Sequence, residues 1–170
     1  MKKCLFILLL TIVSISVYSQ RGDLAVGIKG GYITSYKDIL YGADIAYHIA
    51  DPLEIAFTGL LNTNMTLEDE FDSSIKDKLS MYSFNLDARY YLLLQRTWGT
   101  GPALGAQYFT VKNKTQDFID NVWGFNIGWH IRGNITESLR LNGGWRYTNA
   151  SEDFRYHYIY AGITYTFSLY

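Results

Sequence analysis

Cysteine is nearly absent. The 170 residues hold one, Cys4, and it precedes the first apolar run, so the rest of the chain has neither disulfides nor thiolate metal sites. Proline is scarce too, with two residues against fifteen glycines. Almost every backbone position therefore keeps the N–H that a β-ladder needs. No charge excess exists: the formal net charge is −1, which leaves no electrostatic footprint for nucleic acid. Beyond Val17 no apolar run approaches the ~20 residues of a membrane-spanning helix. No 3.6-residue or heptad periodicity appears either, and nothing marks a second domain.

What is present is aromatic and alternating. Tyr 15, Phe 9 and Trp 4 make up 16% of the chain, a mixture that suits strands. Met1-Lys2-Lys3, an apolar run from Leu5 to Val17 and the small-residue site Val17-Tyr18-Ser19 read as a secretory signal peptide. Cleavage is expected after Ser19, leaving residues 20–170 as one domain. Cys4 lies before the apolar run and so is not a lipid-modified N-terminal cysteine.

Period-two alternation then recurs about eight times, which is the mark of strands whose neighbouring side chains point to opposite faces. The expected strands are Asp23 to Thr34, Leu40 to Ala50, Leu53 to about Asn62, Met81 to Leu94, Pro102 to Val111, Val122 to Arg132, Leu139 to Thr148 and Tyr156 to Phe167. Asp51-Pro52 is a tight turn, while Thr63 to Lys78, Lys112 to Asn121 and Asn149 to Arg155 read as polar loops. Val122 to Arg132 alternates most cleanly, setting Trp123, Phe125, Ile127, Trp129 and Ile131 against Gly124, Asn126, Gly128, His130 and Arg132. Every strand has one apolar, aromatic face and one face of glycines, amides and charges. Ten to twelve residues is the length a tilted membrane strand requires. The pattern predicts an all-β fold, an antiparallel up-and-down transmembrane β-barrel of about eight strands, with the polar face inward. Tyr41, Trp98, Trp123, Trp145 and Tyr147 near strand ends suit interfacial girdles.

The last strand carries Gly162, Tyr165 and Phe167 in the spacing Gly-x-x-aromatic-x-aromatic. Together with the leader and the eight alternating strands, this ending resembles the small outer-membrane β-barrel domain family, which includes OmpA-type, OmpX-type and PorT-like barrels. The resemblance implies integral insertion in the bacterial outer-membrane lipid bilayer. It also implies that the barrel-assembly machinery reads Gly162, Tyr165 and Phe167 as an insertion signal. The peptidoglycan-binding domain of longer OmpA-type proteins is absent, so that role is not carried over. The family's motifs report architecture and specify no chemistry.

Other candidates weigh less. Arg21-Gly22-Asp23 spells an integrin-type tripeptide at the periplasmic start of the first strand, and chance explains it. Asn64, Asn113, Asn134 and Asn149 open glycosylation sequons that carry no weight in a bacterial barrel. Ser151, Asp153 and His157 lack an oxyanion hole or nucleophile elbow, so no enzyme is expected. His48, His130 and His157 are too scattered for a metal site, and no cofactor is implied. Lys29, Asp44, Asp87 and Arg89 fall on polar faces at similar heights and are expected to pair as a lumen charge cluster. Arg89 should meet Asp44 or Asp87, and Lys29 the remaining carboxylate. The leading function is a structural or surface-interaction barrel, with a surface or periplasmic protein partner that the sequence does not identify. The alternatives are a small porin-like passive channel and a secreted lipocalin-like binder, which would need its aromatic face inward.

Overall fold

The computed structural model describes residues 22–50, 52–68, 76–94, 97–113, 118–149 and 155–168. The strands are β1 (Asp23–Ile33), β2 (Asp38–Ala50), β3 (Leu53–Glu68), β4 (Lys76–Tyr90), β5 (Leu93–Leu94), β6 (Trp98–Asn113), β7 (Phe118–Asn134), β8 (Leu139–Asn149) and β9 (Arg155–Ser168). Among the described residues the two-residue β5 pairs with β6 alone, at the rim. The other eight form one antiparallel meander. β1 pairs with β9 from Asp23↔Ser168 to Ile33↔Tyr158, and β4 pairs with β6 from Leu79↔Asn113 to Arg89↔Ala103. These ladders close the sheet into an eight-stranded barrel.

Alternation decides which face is which. Ile28, Ile45, Phe57, Phe84, Leu86, Leu104, Trp123, Phe125, Ile127, Ile159 and Ile163 are exposed, while Asp44, Glu54, Asp87, Arg89, Asn126, Arg132 and Arg146 are buried. A soluble protein distributes these residue types the other way round. The arrangement is that of a barrel whose outside faces hydrocarbon. The aromatic face points outward, so the arrangement is not that of a lipocalin-like binder.

Most strand ends lie beyond the sequence expectation, but the strand expected over Met81 to Leu94 stops at Tyr90, and Leu93–Leu94 pair separately with β6. Thr63–Glu68 and Lys76–Lys78, read as loop, belong to β3 and β4. Lys112 and Asn113 continue β6, and β7 begins at Phe118. β7 has 17 residues, well beyond the ~9–11 that cross a bilayer. The excess lies at the end away from the chain termini. There, among the described residues, the β7–β8 ladder begins at Phe125↔Asn149 and the β2–β3 ladder ends at Tyr41↔Leu61. The Tyr108 and Trp123 rings meet at 4.9 Å on the outer face, and above them Thr110 Oγ1 donates to Asn121 Oδ1 at 2.8 Å. An aromatic pair followed by a polar pair marks the level where hydrocarbon gives way to water. Above that level neither face of a hairpin needs to be apolar, which is why alternation fades there. At the opposite end β6 starts early, at Trp98, and its ladder with β4 stops at Ala103, next to Pro102, which has no N–H to donate.

Glycines on the inner face let neighbouring strands pack without a side chain between them. A Cβ built on Gly42 would lie 2.0 Å from the Gly59 carbonyl oxygen, whereas one on Gly133 would meet nothing within 4 Å. Gly42→Ala should therefore destabilise the barrel by about 1–3 kcal/mol, and Gly133→Ala should stay within about 0.5 kcal/mol of the parent. Urea unfolding in detergent micelles tests this, and equal midpoints for the two variants would contradict it.

Candidate functional site

The described residues hold no helix, and none of their His, Asp or Glu side chains cluster as a metal site. The chemistry sits in the barrel interior, which divides into two layers. Toward the termini lies a network of charges. Arg89 Nη1 donates to Glu54 Oε1 at 2.8 Å and Nη2 to Asp44 Oδ2 at 3.3 Å. Lys29 Nζ lies 3.5 Å from the same Asp44 oxygen and donates to Thr58 Oγ1 at 3.1 Å. Arg132 Nη1 stands 3.6 Å from Glu54 Oε2, and the Arg132 guanidinium covers the Tyr91 ring at 4.2 Å. Tyr91 donates its hydroxyl to Glu54 at 3.3 Å. Arg146 Nη2 reaches Asp87 Oδ2 at 3.4 Å. At the rim Arg140 pairs with Asp23 at 3.6 Å.

Many of these contacts cross the ring. Arg132 on β7 also donates to His48 Nδ1 on β2 at 3.4 Å, and those two strands stand opposite one another in the closed order. Gln107 on β6 donates to the Tyr156 hydroxyl on β9 at 2.7 Å. In the network Asp44, Glu54 and Asp87 face Lys29, Arg89, Arg132 and Arg146, so three carboxylates meet four cations. Charges removed from water are tolerated when hydrogen-bonded to opposite charge, and are costly alone.

The four charges singled out by sequence do fall inside, with partners that differ in part. Arg89 touches Asp44, but its shortest contact is Glu54, which sits directly opposite it in the β3–β4 ladder. Asp87 is taken by Arg146, and Lys29 shares Asp44 rather than holding Asp87. Glu54 and Arg146 stand on the polar faces read from sequence, and the Glu54↔Arg89 register was the signal that could have added Glu54. Arg132–Glu54 and Arg146–Asp87 depend on how the ring closes, which no single strand reveals.

Gly162 faces inward opposite Lys29, whose Cβ would lie 2.8 Å from any Cβ placed there. Tyr165 and Phe167 face outward with rings 4.9 Å apart. Of the hydrolase-like trio, Ser151 and Asp153 lie outside the described residues, and His157 stacks on Trp145 at 5.6 Å on the outer surface. Residues 1–21, with the expected leader and Arg21, lie outside the description as well.

Closed topology, an apolar exterior and a paired polar interior define the class: an integral β-barrel of an outer membrane. The chain belongs to the outer membrane protein beta-barrel domain family, whose model matches residues 5–167. Solved structures of the same fold include the N-terminal β-barrel domain of OprF from Pseudomonas aeruginosa, at 17% identity and TM-score 0.67, covering 87% of this chain and 100% of that one. OprG from the same organism aligns at 13% identity and TM-score 0.62, covering 88% and 97%. Ail, the attachment invasion locus protein of Yersinia pestis, in complex with the heparin analogue sucrose octasulfate, aligns at 12% identity and TM-score 0.60, covering 88% and 99%. These likenesses show the fold. No protein with a curated function matches the sequence.

Removing Arg89 takes from Glu54 its shortest ion pair and leaves Asp44 to Lys29 alone, in a buried interior. Arg89→Ala should cost about 3–5 kcal/mol, and Arg89→Ala with Glu54→Ala should cost less than the sum of the single changes. Urea unfolding of the four proteins in micelles measures the coupling, and additive losses would contradict it.

Proposed function

We propose that this barrel is a structural or surface-interaction protein of the outer membrane, its lumen filled by its own side chains rather than open as a general pore. The carrying observation is the contact between strands on opposite sides of the ring, Arg132 with His48, inside a network in which Arg89 is 2% and Arg146 1% exposed. An eight-stranded barrel is just wide enough to be filled by side chains, and here Arg132 and Arg146 reach partners on distant strands. The surface role draws on the hairpins that overshoot the ring. Residues Phe118 to Gly124 of β7 pair with β6 and have no ladder on their other edge among the described residues. A free edge of that kind is a template for pairing with another chain. Ail, a barrel of like size, holds a sulfated sugar, and an exposed-surface role here follows the same broad logic.

In this reading residues 1–19 are a removed leader, the termini face the periplasm and the overshooting hairpins face outward. Gly162, Tyr165 and Phe167 serve the assembly machinery during insertion, and the mature barrel catalyses no reaction. An epitope inserted at Asp72 should be reachable on intact cells, and one at Asp51 should not; reversed accessibility would overturn the orientation. In planar bilayers the purified barrel should pass far less current than a general porin. Porin-sized conductance would instead establish the passive channel.

A further inference from the structure

We infer that the permeability barrier of this lumen is not its charge network but an apolar layer above it, and that water enters the network from the termini side. This rests on the filled-lumen reading and says where the filling is tight.

Ile33, Leu40, Leu60, Met81, Phe109 and Tyr156 are each at most 2% exposed. They come from six different strands, β1, β2, β3, β4, β6 and β9, so they line most of the ring at one level. Ile33, Leu40, Leu60, Met81 and Tyr156 form one contiguous cluster with Leu79, Tyr158 and Tyr160. All point inward, where the period of their strands would otherwise put polar groups. Polar atoms among them are mostly satisfied: Gln107 donates to Tyr156 and accepts from Thr148 Oγ1 at 3.0 Å, and Asn62 Nδ2 donates to the Ile39 carbonyl at 2.8 Å.

The charge layer is different. Arg89 Nε, Arg146 Nη1, Asp87 Oδ1, His130 Nε2, Arg140 Nε and Thr166 Oγ1 are buried with no protein partner, as are Asn85 Nδ2 and Asn126 Oδ1 between the layers. Among the described residues of the apolar layer, only the Ser83 hydroxyl, opposite Leu60, is in that condition. Several unpartnered donors and acceptors in one dry space would be costly, so water completes them. It has a way in at the termini end, where the side chains of Asp23 and Arg140 are 21% and 12% exposed. At the other end it meets the fully buried apolar residues. Ion pairs with water beside them rearrange and leak, whereas a narrow apolar constriction excludes ions by dewetting. The lumen is thus a blind, hydrated vestibule opening toward the termini.

Two measurements test this on the whole mature barrel, which loses Cys4, the sole native cysteine, with the leader, so that each introduced cysteine stands alone. First, Thr166→Cys and Leu60→Cys are challenged with a charged water-soluble thiol reagent in vesicles. Thr166→Cys should react from the termini face, with Leu60→Cys at least tenfold slower from either face; similar rates would overturn the proposal. Second, Leu40→Ala/Leu60→Ala/Met81→Ala and Arg89→Ala/Glu54→Ala are compared in planar bilayers after heat-shift gels confirm folding. The apolar triple should open a current at least tenfold above the parent, and the charge pair should not. Current from the charge pair alone would overturn the proposal. If the triple fails to fold, Leu60→Ala and the labelling rates decide between the two outcomes. A parent that already conducts like a porin refutes the filled-lumen reading itself, which separates the two failures.

Discussion

A backbone that crosses hydrocarbon has no water to satisfy its N–H and C=O groups, so every one must be paired inside the protein. For strands the only complete solution is a ring, and the β1–β9 and β4–β6 ladders supply the pairings that make one. The other features answer to that closure. Once the ring is shut, one face of each strand belongs to lipid and must be apolar. All polarity is then confined to an interior scarcely wider than two long side chains. Exposed Ile28, Phe84 and Trp123 and buried Arg89, Asp87 and Arg146 are two consequences of one constraint.

Confinement in turn dictates composition. Seven charged side chains share the inner network, and each finds an opposite partner within 3.6 Å. Room for them comes from residues that occupy almost none: Gly162 lies under the Lys29 stem, and a side chain on Gly105 would collide with Asp87. Small and large residues therefore alternate around the ring as well as along it. The fold gains rigidity from this close packing of opposite charges.

Much of this was legible in the sequence because the period of a strand is local. Trp123 to Ile131 announce their outward face without reference to any other strand, and the same holds for Tyr82 to Tyr90. Inward residues were equally readable as a set, down to Lys29, Asp44, Asp87 and Arg89. Pairings were not. Glu54 meets Arg89 through strand register, and Arg132 meets Glu54 only because the ring closes with a particular stagger. The apolar layer also escaped notice. Leu40 follows Ile39, and Leu60 precedes Leu61, so each pair reads as a lapse in alternation where in fact both faces are apolar for different reasons. Thr63–Glu68 and Lys76–Lys78 looked like loop because paired strands in water lack the alternation that lipid imposes.

The aromatic face meets lipid, and the charged face meets other side chains of the barrel. Fluorescence of the four native tryptophans tests this most directly, since Trp98, Trp123, Trp129 and Trp145 all face outward. Reconstituted into bilayers whose acyl chains carry bromine, the protein should lose at least half of its tryptophan emission, while aqueous iodide quenches little beyond Trp123. Emission untouched by brominated chains and readily quenched by iodide would contradict the account.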